Sequence, residues 1–267
     1  MVNYKNNRKR FKPNALGSLY VNEKIDNNKR PIIYIGGQME HRCHLLEQSG
    51  KTIDSGYGMF DGSWFYDYPL FGIDKSTIDG ENFAKNLISS LEMAKLADID
   101  LVTQSYGGII GSYASKSNRI HKVYAVHPPI TGTPLANPDE LLKRKELFLK
   151  REKLLLRIIQ LMINYNYGFE KDNYHGIDPS KVDFNKLLVI GSSLDLDTEK
   201  DNLSKDLYNI ILKYTGLESD GIVIFDEETF SRMGINYQRE EESLSHFAAG
   251  SRKNLERIIK LVSQNNE

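Results

Sequence analysis

The 267-residue sequence has little cysteine and no long apolar run. Its single cysteine, Cys43, cannot form a disulfide within the chain, which fits a reducing compartment. No apolar stretch approaches the roughly 20 residues that a membrane-spanning helix requires. Residues 1–13 are polar and basic, without the apolar centre of a signal peptide. We therefore expect a cytoplasmic protein with no stable membrane insertion.

The sequence also lacks a net charge of either sign, since 35 Lys and Arg oppose 36 Asp and Glu. Basic residues concentrate in residues 1–30, where eight Lys or Arg face Glu23 and Asp26. No nucleic-acid motif accompanies them, so we expect no nucleic-acid partner and interpret residues 1–15 as a flexible basic arm. A composition of 40% hydrophobic and 27% charged residues favours one globular domain over residues 1–267.

Strand-like and helix-like segments alternate along the chain. Short apolar, β-branched runs predict strands at 31–35, 99–103, 120–127 and 186–191. Apolar residues at helical spacing predict a helix capped by Ser76 or Thr77, and further helices at 107–115 and 254–262. This alternation predicts an α/β fold, with a mostly parallel sheet covered on both faces and ligands at the carboxyl ends of its strands.

Residues 138–182 are an insertion that the predicted alternation of strands and helices does not require. Apolar residues recur in sevens over 138–164, which predicts one long or two shorter helices, and 154–163 is apolar nearly all round. We expect that part to be buried on several sides or to cover an apolar pocket. We interpret 138–182 as a helical lid whose Leu155, Ile159 and Met162 line a substrate pocket. The alternatives are core packing and a homodimer contact.

Residues 101–110, Leu-Val-Thr-Gln-Ser-Tyr-Gly-Gly-Ile-Ile, place Ser105 between a predicted strand and a predicted helix. This is the layout of a nucleophile elbow, in which a strained turn exposes the serine hydroxyl. The residues two before and two after the serine must be small because the backbones approach closely there. Gly107 meets this condition, and Thr103 stands in place of the usual glycine.

Four separated segments resemble the α/β-hydrolase superfamily, and within it lipases and lipase-like esterases. They are the predicted strand and loop at 32–38, the elbow, the strand with Gly-Thr-Pro-Leu-Ala at 124–136, and Ser-Asp-Gly-Ile-Val at 219–223 followed by a histidine at 246. Gly36 replaces the histidine that the family usually has. The resemblance spans residues 31–250 and implies an α/β-hydrolase fold with a helical lid.

The resemblance also implies a catalytic triad in the family's chain order: Ser105 as nucleophile, Asp220 as acid and His246 as base. It implies an oxyanion hole formed by the backbone N–H groups of Gln38 and Tyr106. Asp195 and Asp197 follow a predicted strand end where many family members keep their acid, so they remain alternative acids.

Other titratable residues receive plainer interpretations. His127 ends a predicted strand and is interpreted as a satisfied histidine lining the cleft, and residues 240–242 as a solvated acidic loop. His41, His44, His121 and His175 lack motif context. No metal-ligand spacing or phosphate-binding loop is present in the sequence, so we expect neither a metal nor a cofactor.

The combined prediction is a serine hydrolase that cleaves a carboxylic ester, with a small-molecule or lipid acyl ester as substrate. An acyltransferase or a thioesterase with the same triad would give the same sequence pattern. A non-catalytic α/β-hydrolase-fold protein that binds a ligand through the same cleft is a further alternative. Thr103, Gly36 and the undecided acid motivate that last hypothesis.

Overall fold

The computed structural model describes residues 8–14, 16–22, 30–37, 63–68, 79–164 and 174–264. The strands are β1 (Arg8–Phe11), β2 (Ser18–Asn22), β3 (Ile32–Ile35), β4 (Ser63–Asp67), β5 (Ile99–Gln104), β6 (Ile120–Val126), β7 (Leu187–Gly191) and β8 (Asn236–Arg239). The α-helices are α1 (Gly80–Met93), α2 (Tyr106–Ala114), α3 (Pro138–Lys143), α4 (Lys150–Asn164), α5 (Asn202–Thr215), α6 (Glu227–Met233), α7 (His246–Ala249) and α8 (Arg252–Gln264).

These strands form one sheet in the order β1-β2-β4-β3-β5-β6-β7-β8. Strands β3 to β8 are mutually parallel, whereas β2 runs antiparallel to both β1 and β4. The predicted mostly parallel sheet is therefore confirmed. Because parallel strands end at the same edge, the loops after β5, β6, β7 and β8 meet there.

Alternate side chains of the central strands fill two separate cores. Ile33 and Ile35 of β3 lie in a core with α1 and α2, whereas Ile32 and Tyr34 lie in a second core with α8. The two faces follow from the alternation of side chains along a strand. Burial on both faces explains why this strand is a continuous apolar run in the sequence.

The C-terminal helix covers the sheet with one apolar face. Helix α8 buries Leu255, Ile258, Ile259 and Val262, which recur at the spacing of a single helical face. None of the helices in the described part of the chain combines the length and apolarity that crossing a bilayer requires.

Helix α1 begins later than the sequence suggests. Its N-cap is Asp79, whose carboxylate accepts the Asn82 N–H at 2.6 Å. The predicted cap, Ser76 or Thr77, is thus wrong for this helix, and both residues lie outside the described ranges. An aspartate at the N-cap satisfies a backbone donor that has no partner within the helix.

Part of the predicted flexible arm is an ordered edge strand. Strand β1 pairs with β2 along its whole length, and the Arg10 guanidinium donates to the buried Ser18 hydroxyl at 3.0 Å. The same guanidinium lies over the Tyr20 ring at 5.4 Å. Residues 8–11 therefore pair in the sheet, while residues 1–7 lie outside the described part and their flexibility stays a prediction.

Residues 138–164 form two helices, α3 and α4, separated by a 3₁₀ turn at Lys145–Leu147. Of the two alternatives, one long helix or two shorter ones, the structure therefore shows the second. Leu156 of α4 is fully buried, but Leu154, Ile158 and Leu161 are 61%, 46% and 55% exposed. The expectation of burial on several sides is wrong for that face, because the helix packs on the protein through one face only.

Helix α2 approaches the end of β3 without space for a side chain between them. A Cβ built on Gly107 would lie 2.4 Å from the carbonyl oxygen of Ile35 and 2.6 Å from that of Gly36. These contacts are with backbone, which cannot move aside as a flexible side chain can. The elbow helix therefore requires glycine at this position.

We expect Gly107→Ala to lower the free energy of unfolding by about 1–3 kcal/mol, because overpacking outweighs the gain in helix propensity. Urea unfolding followed by circular dichroism measures this change. Gly216→Ala is the control, since its added Cβ would meet nothing within 4 Å and only its φ of 76° is unfavourable. Equal stability of Gly107→Ala and the wild type would contradict the packing argument.

Candidate active site

Ser105 occupies a strained turn between β5 and α2. Its backbone angles are φ 52° and ψ −126°, a region that residues other than glycine rarely adopt. The Ser105 N–H donates to the Val126 carbonyl at 3.0 Å, and the Ser105 carbonyl accepts the Gly108 N–H at 2.8 Å. The turn is thus held on both sides, which orients the serine hydroxyl at the end of β5.

His246, the first residue of α7, contacts that hydroxyl directly. Its Nε2 lies 2.8 Å from Ser105 Oγ, and its Nδ1 lies 2.7 Å from Asp220 Oδ2. The His246 backbone N–H also donates to the Asp220 carbonyl at 2.9 Å. Residues far apart in the chain therefore form a continuous chain of hydrogen bonds from hydroxyl to imidazole to carboxylate.

Asp220 is 1% exposed, yet both of its carboxylate oxygens have partners. Oδ1 accepts the N–H groups of Ile222 at 2.8 Å and Val223 at 2.7 Å. Burial alone would raise the pKa of Asp220, but the interactions with His246 and His127 outweigh it and hold the pKa well below 3.8. Asp220 is therefore a carboxylate at neutral pH.

The backbone arrangement is shared with known structures. A protein assigned as an aryl esterase from Burkholderia cenocepacia is 16% identical with a TM-score of 0.54, covering 97% of each chain. A proline iminopeptidase-related protein from Thermus thermophilus is 11% identical with a TM-score of 0.51, covering 97% of this chain and 98% of that chain. This chain has the α/β-hydrolase fold. No protein-family model matches it, and a comparison with curated proteins finds no match.

In this α/β-hydrolase fold a second histidine contacts the same carboxylate. His127 Nδ1 lies 2.6 Å from Asp220 Oδ2, and His127 Nε2 lies 2.8 Å from Glu240 Oε2. Burial would lower the pKa of His127, but its hydrogen bonds to Asp220 and Glu240 outweigh burial and raise the pKa to about 9. His127 is therefore an imidazolium at neutral pH.

Glu240 completes this cluster from the far side. Its Oε1 accepts from the Arg257 guanidinium at 2.9 Å and from the Asn254 amide at 3.4 Å. Glu240 is only 8% exposed, so interpreting it as part of a solvated loop is wrong. His127 ends a predicted strand, but nothing in the sequence indicated its contact with Glu240, because 113 residues separate the two.

His127, Asp220 and His246 each have an atom that can bind a metal ion, and these three atoms lie within 4.8 Å of one another. A metal ion could bridge atoms at this spacing. The two histidines, however, lie 2.6 and 2.7 Å from a single oxygen, Asp220 Oδ2. These are lengths of charge-assisted hydrogen bonds, in which protons occupy the space between the donor and the acceptor. Hydrogen bonding therefore accounts for the grouping.

The alternative acids lie elsewhere. Asp195 and Asp197 are exposed, and the Asp195 carboxylate accepts the Asp197 backbone N–H at 3.0 Å within their own turn. The carboxylate that the described structure brings to the His246 ring is that of Asp220.

The predicted oxyanion-hole residues are described in part. Tyr106 is the first residue of α2, where backbone N–H groups lack helical partners. Gln38 lies outside the described residues, but its neighbour Gly37 lies close to Ser105. A Cβ built on Gly37 would lie 3.0 Å from Ser105 Cβ. The role of Gln38 and Tyr106 in an oxyanion hole stays a prediction.

The predicted pocket residues are described in part. Leu155 and Ile159 of α4 pack against a third apolar cluster that contains Leu207 and Ile211 of α5. The Met162 side chain lies outside the described part of the chain. Their role in lining a substrate pocket stays a prediction.

The raised pKa of His127 predicts a loss of stability at high pH. The pKa of His127 is about 9 in the folded protein and ordinarily 6.5, so its protonation stabilises the folded protein. This stabilisation is fully present below pH 6.5 and is lost as the pH rises through 9. The shift corresponds to about 3 kcal/mol. We expect the free energy of unfolding to fall over this range, and to fall much less in His127→Gln. Parallel slopes for the two proteins in urea unfolding at pH 6 to 10 would contradict the charged state of His127.

Proposed function

We propose that this protein is a serine hydrolase that cleaves carboxylic esters through an acyl-enzyme intermediate. The observation that supports this most directly is the contact of 2.8 Å between Ser105 Oγ and His246 Nε2, continued by His246 Nδ1 to Asp220. A free serine hydroxyl is a poor nucleophile, and an adjacent imidazole oriented by a carboxylate is the arrangement that activates it.

The proposed reaction has two halves. Ser105 Oγ attacks the ester carbonyl carbon while its proton moves to His246 Nε2, and the carbonyl oxygen becomes an oxyanion held by the N–H groups of Tyr106 and Gln38. The intermediate expels the alkoxide, which takes the proton from His246, and leaves Ser105 acylated. Water then attacks the acyl group while His246 accepts its proton. The bond to Ser105 Oγ breaks, Oγ takes the proton from His246, and the carboxylic acid is released.

The choice of an ester depends on the lipase-like segments at 124–136 and 219–223. The fold does not determine whether an ester or a peptide bond is cleaved. Structures that share it include the protein assigned as an aryl esterase and a proline iminopeptidase from Mycobacterium smegmatis. That iminopeptidase is 8% identical with a TM-score of 0.50, over 97% of this chain and 98% of that chain. We propose a lipid or other acyl ester as substrate, with residues 138–182 as the cap over the site.

Fluorophosphonate labelling tests the nucleophile. We expect mass spectrometry to find the probe on Ser105 of the wild type, and to find no labelling in Ser105→Ala or His246→Ala. We expect hydrolysis of p-nitrophenyl butyrate to fall by about 10⁴-fold or more in both variants.

Ser112→Ala is the matched control for this labelling. Ser112 lies in the same helix, where its hydroxyl donates to the Gly108 carbonyl at 2.7 Å, and the variant should label as the wild type does. A folded wild type that takes up no probe would favour the ligand-binding alternative. Equal ester hydrolysis by Ser105→Ala and the wild type would exclude the proposed mechanism.

The identity of the acid has its own test. We expect Asp220→Asn to lower kcat/KM by roughly 10⁴-fold, because the amide cannot stabilise the positive imidazole or hold its tautomer. Asp195→Asn, which alters an exposed carboxylate, should leave kcat/KM within twofold of the wild type. The reverse result would assign the acid to Asp195.

A further inference from the structure

We propose that His127 and Glu240 are positioning residues of the active site. A doubly protonated His127 bridges the Asp220 and Glu240 carboxylates, holds Asp220 against His246, and limits how strongly Asp220 stabilises the protonated His246. The effect on catalysis rests on the proposed hydrolase function, whereas the charged bridge itself does not.

The partners of His127 require both of its ring nitrogens to donate. Nδ1 faces an oxygen of Asp220 at 2.6 Å and Nε2 faces an oxygen of Glu240 at 2.8 Å. An ionised carboxylate can only accept, and a neutral imidazole has just one N–H. If His127 were neutral, one of its ring nitrogens would place a lone pair against a lone pair of a carboxylate oxygen, which is repulsive at these distances.

Both carboxylates are held in their ionised form by other donors. Asp220 accepts two backbone N–H groups and the His246 ring in addition to His127. Glu240 accepts from the positive Arg257 guanidinium through its other oxygen. The positive Arg257 at Glu240 Oε1 and the two backbone N–H groups at Asp220 Oδ1 form the environment of ionised carboxylates, so we assign the bridging proton to His127.

The charged groups around His127 come from several elements and balance one another. Asp220 follows α5, Glu240 follows β8, Arg257 lies on α8 and His246 begins α7. With His246 neutral, the two negative charges are matched by His127 and Arg257. Protonation of His246 during catalysis then adds a positive charge to a neutral cluster. In a triad without the second histidine, the same proton would neutralise a lone negative carboxylate.

The backbone also indicates a constrained position. His127 has φ 46°, in the left-handed region that few non-glycine residues adopt, and its N–H donates to the Ile190 carbonyl at 2.8 Å. Such strain persists where surrounding contacts fix the residue, and it concentrates at functional sites. Here it directs the imidazole between the two carboxylates at the carboxyl end of the sheet.

The electrostatic consequence has a definite sign. The rings of His127 and His246 have centroids 6.3 Å apart, so a positive His127 disfavours proton uptake by His246. Removal of the His127 charge should therefore move the acid side of the activity profile to higher pH. The bridge extends activity toward mildly acidic pH.

The protonation state can be read in the unaltered protein. Nitrogen-15 NMR of histidine-labelled wild type at pH 7.5 should show one histidine with both ring nitrogens protonated and two exchange-protected ring N–H signals. All histidines neutral at this pH would overturn the proposal. This measurement needs neither activity nor a folded variant.

The pH profile tests the catalytic consequence. We expect His127→Gln to move the acid-side midpoint of kcat/KM for p-nitrophenyl butyrate to higher pH by about 1–2 units. Glu240→Gln removes a negative charge from the same chain of bonds, so its midpoint should stay unchanged or move to lower pH. If the rates fall but the midpoints do not move, His127 has only a structural role and the proposal is wrong. Equal upward shifts of the midpoint in both variants would also overturn it.

The two proposals fail in different ways. Absence of probe on Ser105 in folded wild type would refute the hydrolase function, and the NMR signals would still decide the charged bridge. Normal labelling of Ser105 with an unmoved midpoint in His127→Gln would leave the hydrolase function intact and refute the role of His127.

Discussion

The Asp220 carboxylate is the constraint around which the site is arranged. Burying a carboxylate costs several kcal/mol unless hydrogen bonds and opposite charges replace its water. Two backbone N–H groups from its own loop and two histidine rings do so here. Through those rings a single side chain connects Ser105 after β5, His127 after β6 and Glu240 after β8. One buried negative charge is therefore linked to residues that follow three different strands of the sheet.

The fold alone leaves the chemistry open. Structures that share it with this chain at 8–16% identity include a protein assigned as an aryl esterase, a proline iminopeptidase and a proline iminopeptidase-related protein, so the fold does not determine which bond is cleaved. The proposal of acyl transfer rests instead on the contact between the Ser105 hydroxyl and the His246 imidazole. The substrate depends on the groups that surround that hydroxyl, which differ between proteins of one fold.

The chain departs from the family's elbow pattern, and the packing accommodates the change. Thr103 is fully buried, and its hydroxyl donates to the Tyr124 carbonyl at 3.4 Å. A Cβ built on Gly111 would lie 2.8 Å from the Thr103 methyl carbon. A glycine on α2 thus leaves the space that a larger residue on β5 occupies. This pairing explains how the elbow retains its geometry without glycine at position 103.

The alternating strands and helices and the strand-turn-helix layout at Ser105 could be predicted from the sequence, because periodicity and turn chemistry act between near neighbours. The grouping of Ser105 with Asp220 and His246 was implied by the resemblance to α/β-hydrolases. The tertiary structure was needed to show that the carboxylate at the His246 ring is that of Asp220, that residues 8–11 pair as an edge strand, and that His127 contacts Glu240. These outcomes depend on which segments are adjacent in the fold. The buried His127 pairs with carboxylates 93 and 113 residues away in the chain, and such pairing leaves no local pattern in the sequence.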